Sequence, residues 1–254
     1  MLELFEKTVA FRRKRVVRII VTYRPEGDSV GTGFFIDAEG DLLTCFHVVF
    51  GKELRNMRND SVFQAITGQD EHTRLEQYIQ QRISKIEIEP FNGLREEVEI
   101  KKFDERYDVV LLTTKVKNDH RWFRLNLETR TDYGDEVEFG GFPMAVGYRG
   151  VQVPFAVTKG IISTFLNTQV GGENYEHIQI NGVNLEGNSG APLFLKDSKK
   201  VLGIINGNMI RGFQGRFMGV NGQPFDLSFA IPLGITYATS LNTIMQNTEI
   251  LNEI

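Results

Sequence analysis

From Val17 to Ile231 the chain reads as a succession of short runs rich in Val, Ile, Phe and Thr, each broken after a few residues by Gly, Asn or Asp. β-branched and aromatic side chains fit a pleated, half-buried surface, and runs this short do not complete the turns of a buried helix. The pattern predicts strands at 17–23, 31–37, 41–45, 85–89, 96–103, 107–114, 135–141, 151–158, 160–166, 176–181, 191–195, 201–206 and 227–231. So many strands with so few helical segments predict an all-β chain that closes into barrels or stacks as a sandwich. Three segments break the rhythm. Residues 2–14 predict a short N-terminal helix, and residues 51–84, which contain DEHTRLEQYIQQRI, a helical insertion. Residues 233–249 predict a C-terminal helix with Leu233, Ile235, Leu241, Ile244 and Met245 on one face. Only the stretch near 117–133 reads as a connection between two halves.

Composition excludes several classes. The apolar runs are short and interrupted by charge, far from the roughly 20 residues a spanning helix needs, so no membrane partner is expected. The N-terminus has acidic residues among its first apolar ones and no small-residue cleavage site, so it does not read as a secretory signal. Cys45 is the only cysteine, which rules out an internal disulfide and fits a reducing, cytoplasmic setting. A net charge of -4 gives no reason to expect nucleic acid as a partner. The basic run Arg12, Arg13, Lys14, Arg15 is read as solvated surface.

The chemistry concentrates in EGNSGAPLF, where Ser189 stands between Gly187 and Gly190 ahead of the apolar strand from Ala191. Glycine permits the sharp turn that points successive amides inward, so the amides of Gly187 and Ser189 are candidates for an oxyanion hole. A serine nucleophile needs an imidazole base and a carboxylate that fixes its tautomer. All four histidines precede Ser189. His47 follows DLLTCF at a strand end among apolar neighbours, whereas His72, His120 and His177 lie in polar segments and are read as surface residues. Asp108 heads the strand of RYDVVLLTT, where a buried acid needs a partner. An α/β-hydrolase arrangement fails, because Gly187-Asn188-Ser189-Gly190-Ala191 lacks the last glycine of G-x-S-x-G and no histidine follows the serine. The histidines and Cys45 show no paired spacing that builds a zinc site, and nothing calls for a cofactor.

In order along the chain, GTGFFIDAEGDLLTCFHVV, YDVVLL and GNSGAPLF resemble the trypsin-like peptidases, especially their bacterial HtrA-like branch, without a PDZ module. The resemblance continues through VEFGGFPMA, VTKGIISTF, KVLGIING and LSFAIP. It implies one peptidase domain over 1–254 made of two six-stranded antiparallel β-barrels, about 15–116 with the 51–84 insertion and 134–232, followed by the helix at 233–249. His47 and Asp108 would come from the first barrel, Ser189 and the oxyanion amides from the second. The resemblance also implies a specificity pocket with Val183 at its base and Asn206, Gly207, Asn208 and Leu227 as walls. No acid stands there, so an apolar or small substrate residue is expected before the cut, in a protein or peptide substrate. The chain departs from the family at Cys45 and Phe46, where small residues usually precede the histidine, and at Ala191, usually glycine. Asn188 replaces the aspartate that pairs with a new N-terminus in digestive relatives, so control by a regulatory protein partner or by loop ordering is expected instead. The alternative is a protease-fold scaffold without catalysis.

Overall fold

The structure is a computed structural model that describes residues 2–24, 27–51, 66, 71–90, 93–114, 121–125, 131–143, 154–170, 173–218 and 223–251. Six strands form a closed first barrel in the order β1-β2-β3-β6-β5-β4. They are β1 (Val16–Tyr23), β2 (Asp28–Phe35), β3 (Asp41–Thr44), β4 (Ile83–Glu89), β5 (Glu96–Asp104) and β6 (Val109–Thr114). Every pairing among them is antiparallel. The side chains of Ile19, Phe34, Leu42, Leu43, Ile88 and Leu112 are fully buried. Each contributes about 1.5–3 kcal/mol of transfer free energy.

The second barrel comprises β8 (Glu136–Gly141), β9 (Ala156–Val170), β10 (Glu173–Asn181), β11 (Pro192–Leu195), β12 (Lys200–Met218) and β13 (Pro224–Ser240). Its order is β11-β8-β9-β10-β13-β12, and the β11–β12 pairing closes it. A two-residue β7 (Arg124–Leu125) adds to β12 in parallel. Two six-stranded antiparallel barrels are thus present, as expected. A core of Val137, Phe139, Ile162, Ile180, Leu193 and Ile205 fills the second. The core of the first extends across the seam through Phe123, Tyr175, Phe194 and Leu241.

Four helices accompany the barrels among the described residues: α1 (Leu2–Arg13), α2 (Phe46–Phe50), α3 (Glu71–Arg82) and α4 (Leu241–Asn247). Helix α3 lies in the expected insertion, most of which falls outside the described residues. No helix among them is long and apolar enough to cross a membrane.

Several expectations are corrected. The expected helix at 233–249 is strand as far as Ser240 and helix only over Leu241–Asn247. Ile235, Thr236, Tyr237 and Thr239 favour the ladder, and the Ser240 hydroxyl then accepts the amide of Thr243 to start α4. β9 is continuous where two strands were expected, 151–153 lying outside the described residues, and β12 and β13 extend well beyond 201–206 and 227–231. The basic run is not uniformly solvated. Arg12 is 1% exposed, ion-paired with Glu138, bonded to the Ser198 carbonyl and stacked on Phe194. Burial depresses its pKa, with Glu138 acting in opposition. The guanidinium pins α1 to the second barrel. Arg15 is half-buried, lying over the Phe11 ring with its centre 3.4 Å from the centroid.

Candidate active site

His47 sits in the first turn of α2 rather than at a strand end. The segment bends into helix because the Asp108 carboxylate accepts the His47 amide at 2.9 Å, satisfying an N–H that a helix start leaves orphaned. The same carboxylate meets the ring, with Nδ1 2.8 Å from one oxygen and 3.0 Å from the other. A ring that donates from Nδ1 to a carboxylate leaves Nε2 as its remaining acceptor. Asp108 adopts φ +52° in the turn ahead of β6, where its amide donates to the Glu105 carbonyl. Short acidic side chains tolerate this left-handed geometry, and it swings the carboxylate toward α2. The Asp108 side chain is 22% exposed, not buried as expected, because it forms part of a cleft wall.

Ser189 lies half-buried in a turn held from the opposite barrel. Thr32 on β2, fully buried, donates its amide to the Ser189 carbonyl at 2.8 Å and its hydroxyl to the Gly187 carbonyl at 2.7 Å. That hydroxyl also accepts the amide of Phe142 at 3.1 Å. Gly187 and Gly190 adopt φ +94° and +88°. A Cβ on Gly190 would lie 1.9 Å from the Thr32 carbonyl oxygen, so only glycine fits. Ala191, by contrast, is fully buried at an ordinary φ and accommodates its methyl. In this turn the amides of Asn188 and Gly190 donate to Leu185 and Ile205, while those of Gly187 and Ser189 have no acceptor among the described residues. Two neighbouring free N–H groups at one turn suit a developing oxyanion.

The two halves meet at the Ile205 carbonyl, which accepts Gly190 N at 2.7 Å and Cys45 Sγ at 3.2 Å. Ser189 and His47 thus stand one and two residues from a shared anchor. Their side chains make no hydrogen bond with each other among the described residues. Burial first, and Asp108 next, pushes the Cys45 thiol pKa up. The thiol, a ring nitrogen of His47 and an Asp108 oxygen lie within 4.8 Å of one another, a possible metal donor set.

A cleft of about 630 Å³ opens beside the dyad, bounded by His47, Asp108, Tyr175, His177, Asn206, Gly207, Asn208 and Tyr237. Phe46 also lines it, stacked on Phe50 with ring centroids 4.2 Å apart. Asn206 donates to Thr239 and Asn208 to the Asn184 carbonyl, and register shifts on both sides of Asn208 re-aim this part of β12. The structure does not bring Val183 to this cleft. Val183 is 52% exposed, and Leu227 pairs with Gly215 in the outer part of the β12–β13 hairpin. Tyr237, opposite Gly207, lines the cleft wall here.

His177, expected at the surface, is in the cleft instead. Its ring meets Tyr175 edge-on with centroids 4.0 Å apart, and its Nδ1 is buried without a partner among the described residues. Desolvation lowers its pKa to about 4, with Asp108 acting in opposition. Strand alternation was the signal: Ile178 and Ile180 face the second core, so Tyr175 and His177 face the other way. His72 lies on α3 with its side chain outside the description, and His120 is outside the described residues.

Known proteins share this architecture. The chain is 28% identical over 183 residues to putative protease Do-like 14 of Arabidopsis thaliana, covering 70% of this chain and 35% of that protein. It is 28% identical over 160 residues to a probable periplasmic serine endoprotease DegP-like of Buchnera aphidicola, covering 62% of this chain and 30% of that protein. The chain therefore spans about a third of the length of these relatives. The solved HtrA-type protease AlgW with tripeptide superposes with TM-score 0.63 at 20% identity, covering 95% of this chain and 61% of that one. The sequence profile of the trypsin-like peptidase domain matches residues 31–204, and the chain belongs to that family.

Proposed function

We propose that this chain is a serine endopeptidase that cleaves protein substrates through a His47–Asp108–Ser189 triad. The observation that carries the reading is the Asp108 carboxylate bonded to both Nδ1 and the amide of His47, with Nε2 left for the nucleophile. Ser189 Oγ attacks the scissile carbonyl while Nε2 takes its proton, and the amides of Gly187 and Ser189 receive the oxyanion. Collapse breaks the C–N bond, His47 returns the proton to the leaving amine, and water then releases the acyl group by the same route. Asn206 to Asn208 on β12 suit pairing with substrate backbone as an added strand. Asn206, Gly207 and Asn208 carry no charge, which favours an apolar or small residue before the cut and disfavours Arg or Lys. A reducing compartment such as the cytoplasm would keep Cys45 a thiol.

A fluorophosphonate probe tests the reading directly. Covalent labelling is expected on Ser189 and is lost in Ser189→Ala. Turnover of a peptide mixture is expected to fall on the order of 10⁶-fold in Ser189→Ala and in His47→Ala, with little further loss in the double variant. One observation favours a non-catalytic scaffold: Ser189 and His47 share no hydrogen bond. That bond often tightens only with substrate present. Absence of labelling, even with candidate partner proteins added, would establish the scaffold.

A further inference from the structure

Five cationic side chains, Arg15, Arg121, Arg124, Lys199 and Lys200, converge on one concavity of about 470 Å³. Among the described residues its remaining lining is Phe11 and Trp122, and it shares none with the cleft beside His47. The fold forces the charges together. β7 pairs in parallel with β12 so that Arg124 stands directly opposite Lys200. Like charges facing each other across a ladder destabilise it unless something neutralises them. Among the described residues no carboxylate lines the concavity, and Arg121, Arg124, Lys199 and Lys200 have no ion pair. Arg15 is fixed over Phe11 by bonds to the carbonyls of Phe11 and Trp122, at 2.6 and 2.8 Å. Desolvation first, and then the field of Arg121, depresses the pKa of Arg15, so the cations crowd one another. All this occurs on a chain whose net charge is -4.

Such a site calls for a ligand of several negative charges. Its volume falls in the range of small-molecule pockets, and its concave form suits a compact anion better than a bilayer or a duplex. Trp122, 42% exposed, presents a large aromatic ring at the same place. Aromatic rings stack readily on nucleobases, and guanidinium groups grip phosphates bidentately. We propose that this concavity binds a nucleotide polyphosphate, its phosphates held by the Arg and Lys cluster and its base stacked on Trp122. The proposal is independent of the peptidase reading.

Trp122 is the only tryptophan in the chain, so its selectively excited emission reports on this site alone. Titration with ATP is expected to quench it saturably, with a dissociation constant on the order of 10–100 µM. Inorganic tripolyphosphate is expected to displace ATP while leaving emission nearly unchanged when added alone. Arg121→Gln/Arg124→Gln is expected to weaken ATP at least about tenfold, with Ser189 labelling and thermal unfolding unchanged. Lack of saturation up to about 1 mM ATP would overturn the proposal, as would indifference to the double substitution. Equal binding of ATP and tripolyphosphate without quenching would show that no base is recognised. A single-stranded oligothymidylate binding far more tightly than ATP would replace the small ligand with a nucleic acid strand.

Discussion

His177 carries an imidazole that folding holds neutral, and stability must answer for it. Its pKa is lowered to about 4 in the folded chain by desolvation, against about 6.5 when unfolded. Between those values the unfolded chain binds more protons, so stability is complete above about pH 6.5 and is lost as pH falls toward 4. Thermal melts from pH 7 to pH 4 are expected to show a drop in Tm that is smaller in His177→Phe than in the parent chain. Equal drops would assign the acid sensitivity to other groups. Gly190 is the strictest position in the turn of Ser189, since a Cβ there meets the Thr32 carbonyl at 1.9 Å. Gly190→Ala is expected to destabilise by more than about 2 kcal/mol and abolish Ser189 labelling, both readable by chemical denaturation and the fluorophosphonate probe. The turn of Gly187, Ser189 and Gly190 was legible because a glycine-flanked turn is a local pattern. His177 was not, because the polar residues around it hid the two-residue period that turns it toward the cleft. Leu227 and Tyr237 lie in strand-forming segments of similar character, and only the ladder with β12 decides that Tyr237 faces Gly207.

Among elements, β2 and the turn of Ser189 behave as one unit through Thr32. Its hydroxyl links the Gly187 carbonyl to the Phe142 amide, and its own amide holds the Ser189 carbonyl. Thr32→Val preserves the shape and deletes the hydroxyl. It is expected to lower kcat about 10- to 100-fold with KM little changed, through misplacement of the oxyanion amides, and Thr32→Ser is expected to restore kcat. A loss in KM alone would argue against the positioning role. Helix α2 shows why elements were harder to read than motifs. Phe46-His47-Val48-Val49-Phe50 has the composition of a strand, yet a carboxylate 61 residues later caps its amide, and Gly51 at φ +73° ends it. That cap is a tertiary contact with no trace in local propensity. The start of α4 is the converse case, since Ser240 and Thr243 sit at cap spacing and mark the boundary that the apolar face of 233–249 obscured.

At the scale of the molecule, the barrels are joined by more than the chain that connects them. The ring of Phe123, from the connection, packs against Phe34 of the first barrel and Phe194 of the second. Arg12 ties α1 to Glu138 inside the second barrel just before the chain enters β1 of the first. Arg12→Met leaves Glu138, 3% exposed, with Lys159 at 3.6 Å as its only cationic partner among the described residues. A loss of about 3–5 kcal/mol is expected on denaturation, largely recovered when Glu138→Leu is added. The two-barrel plan was legible because strand length and alternation repeat throughout the chain. The buried Arg12 was not, because a run of four basic residues looks like surface until a partner 126 residues away is known. The grip of Thr32 on the turn of Ser189 has one more consequence. Reactivity at Ser189 becomes a gauge of how the barrels are docked. In rising denaturant, fluorophosphonate labelling should fade as soon as β2 draws away from the second barrel, before either barrel gives up its β-sheet circular dichroism.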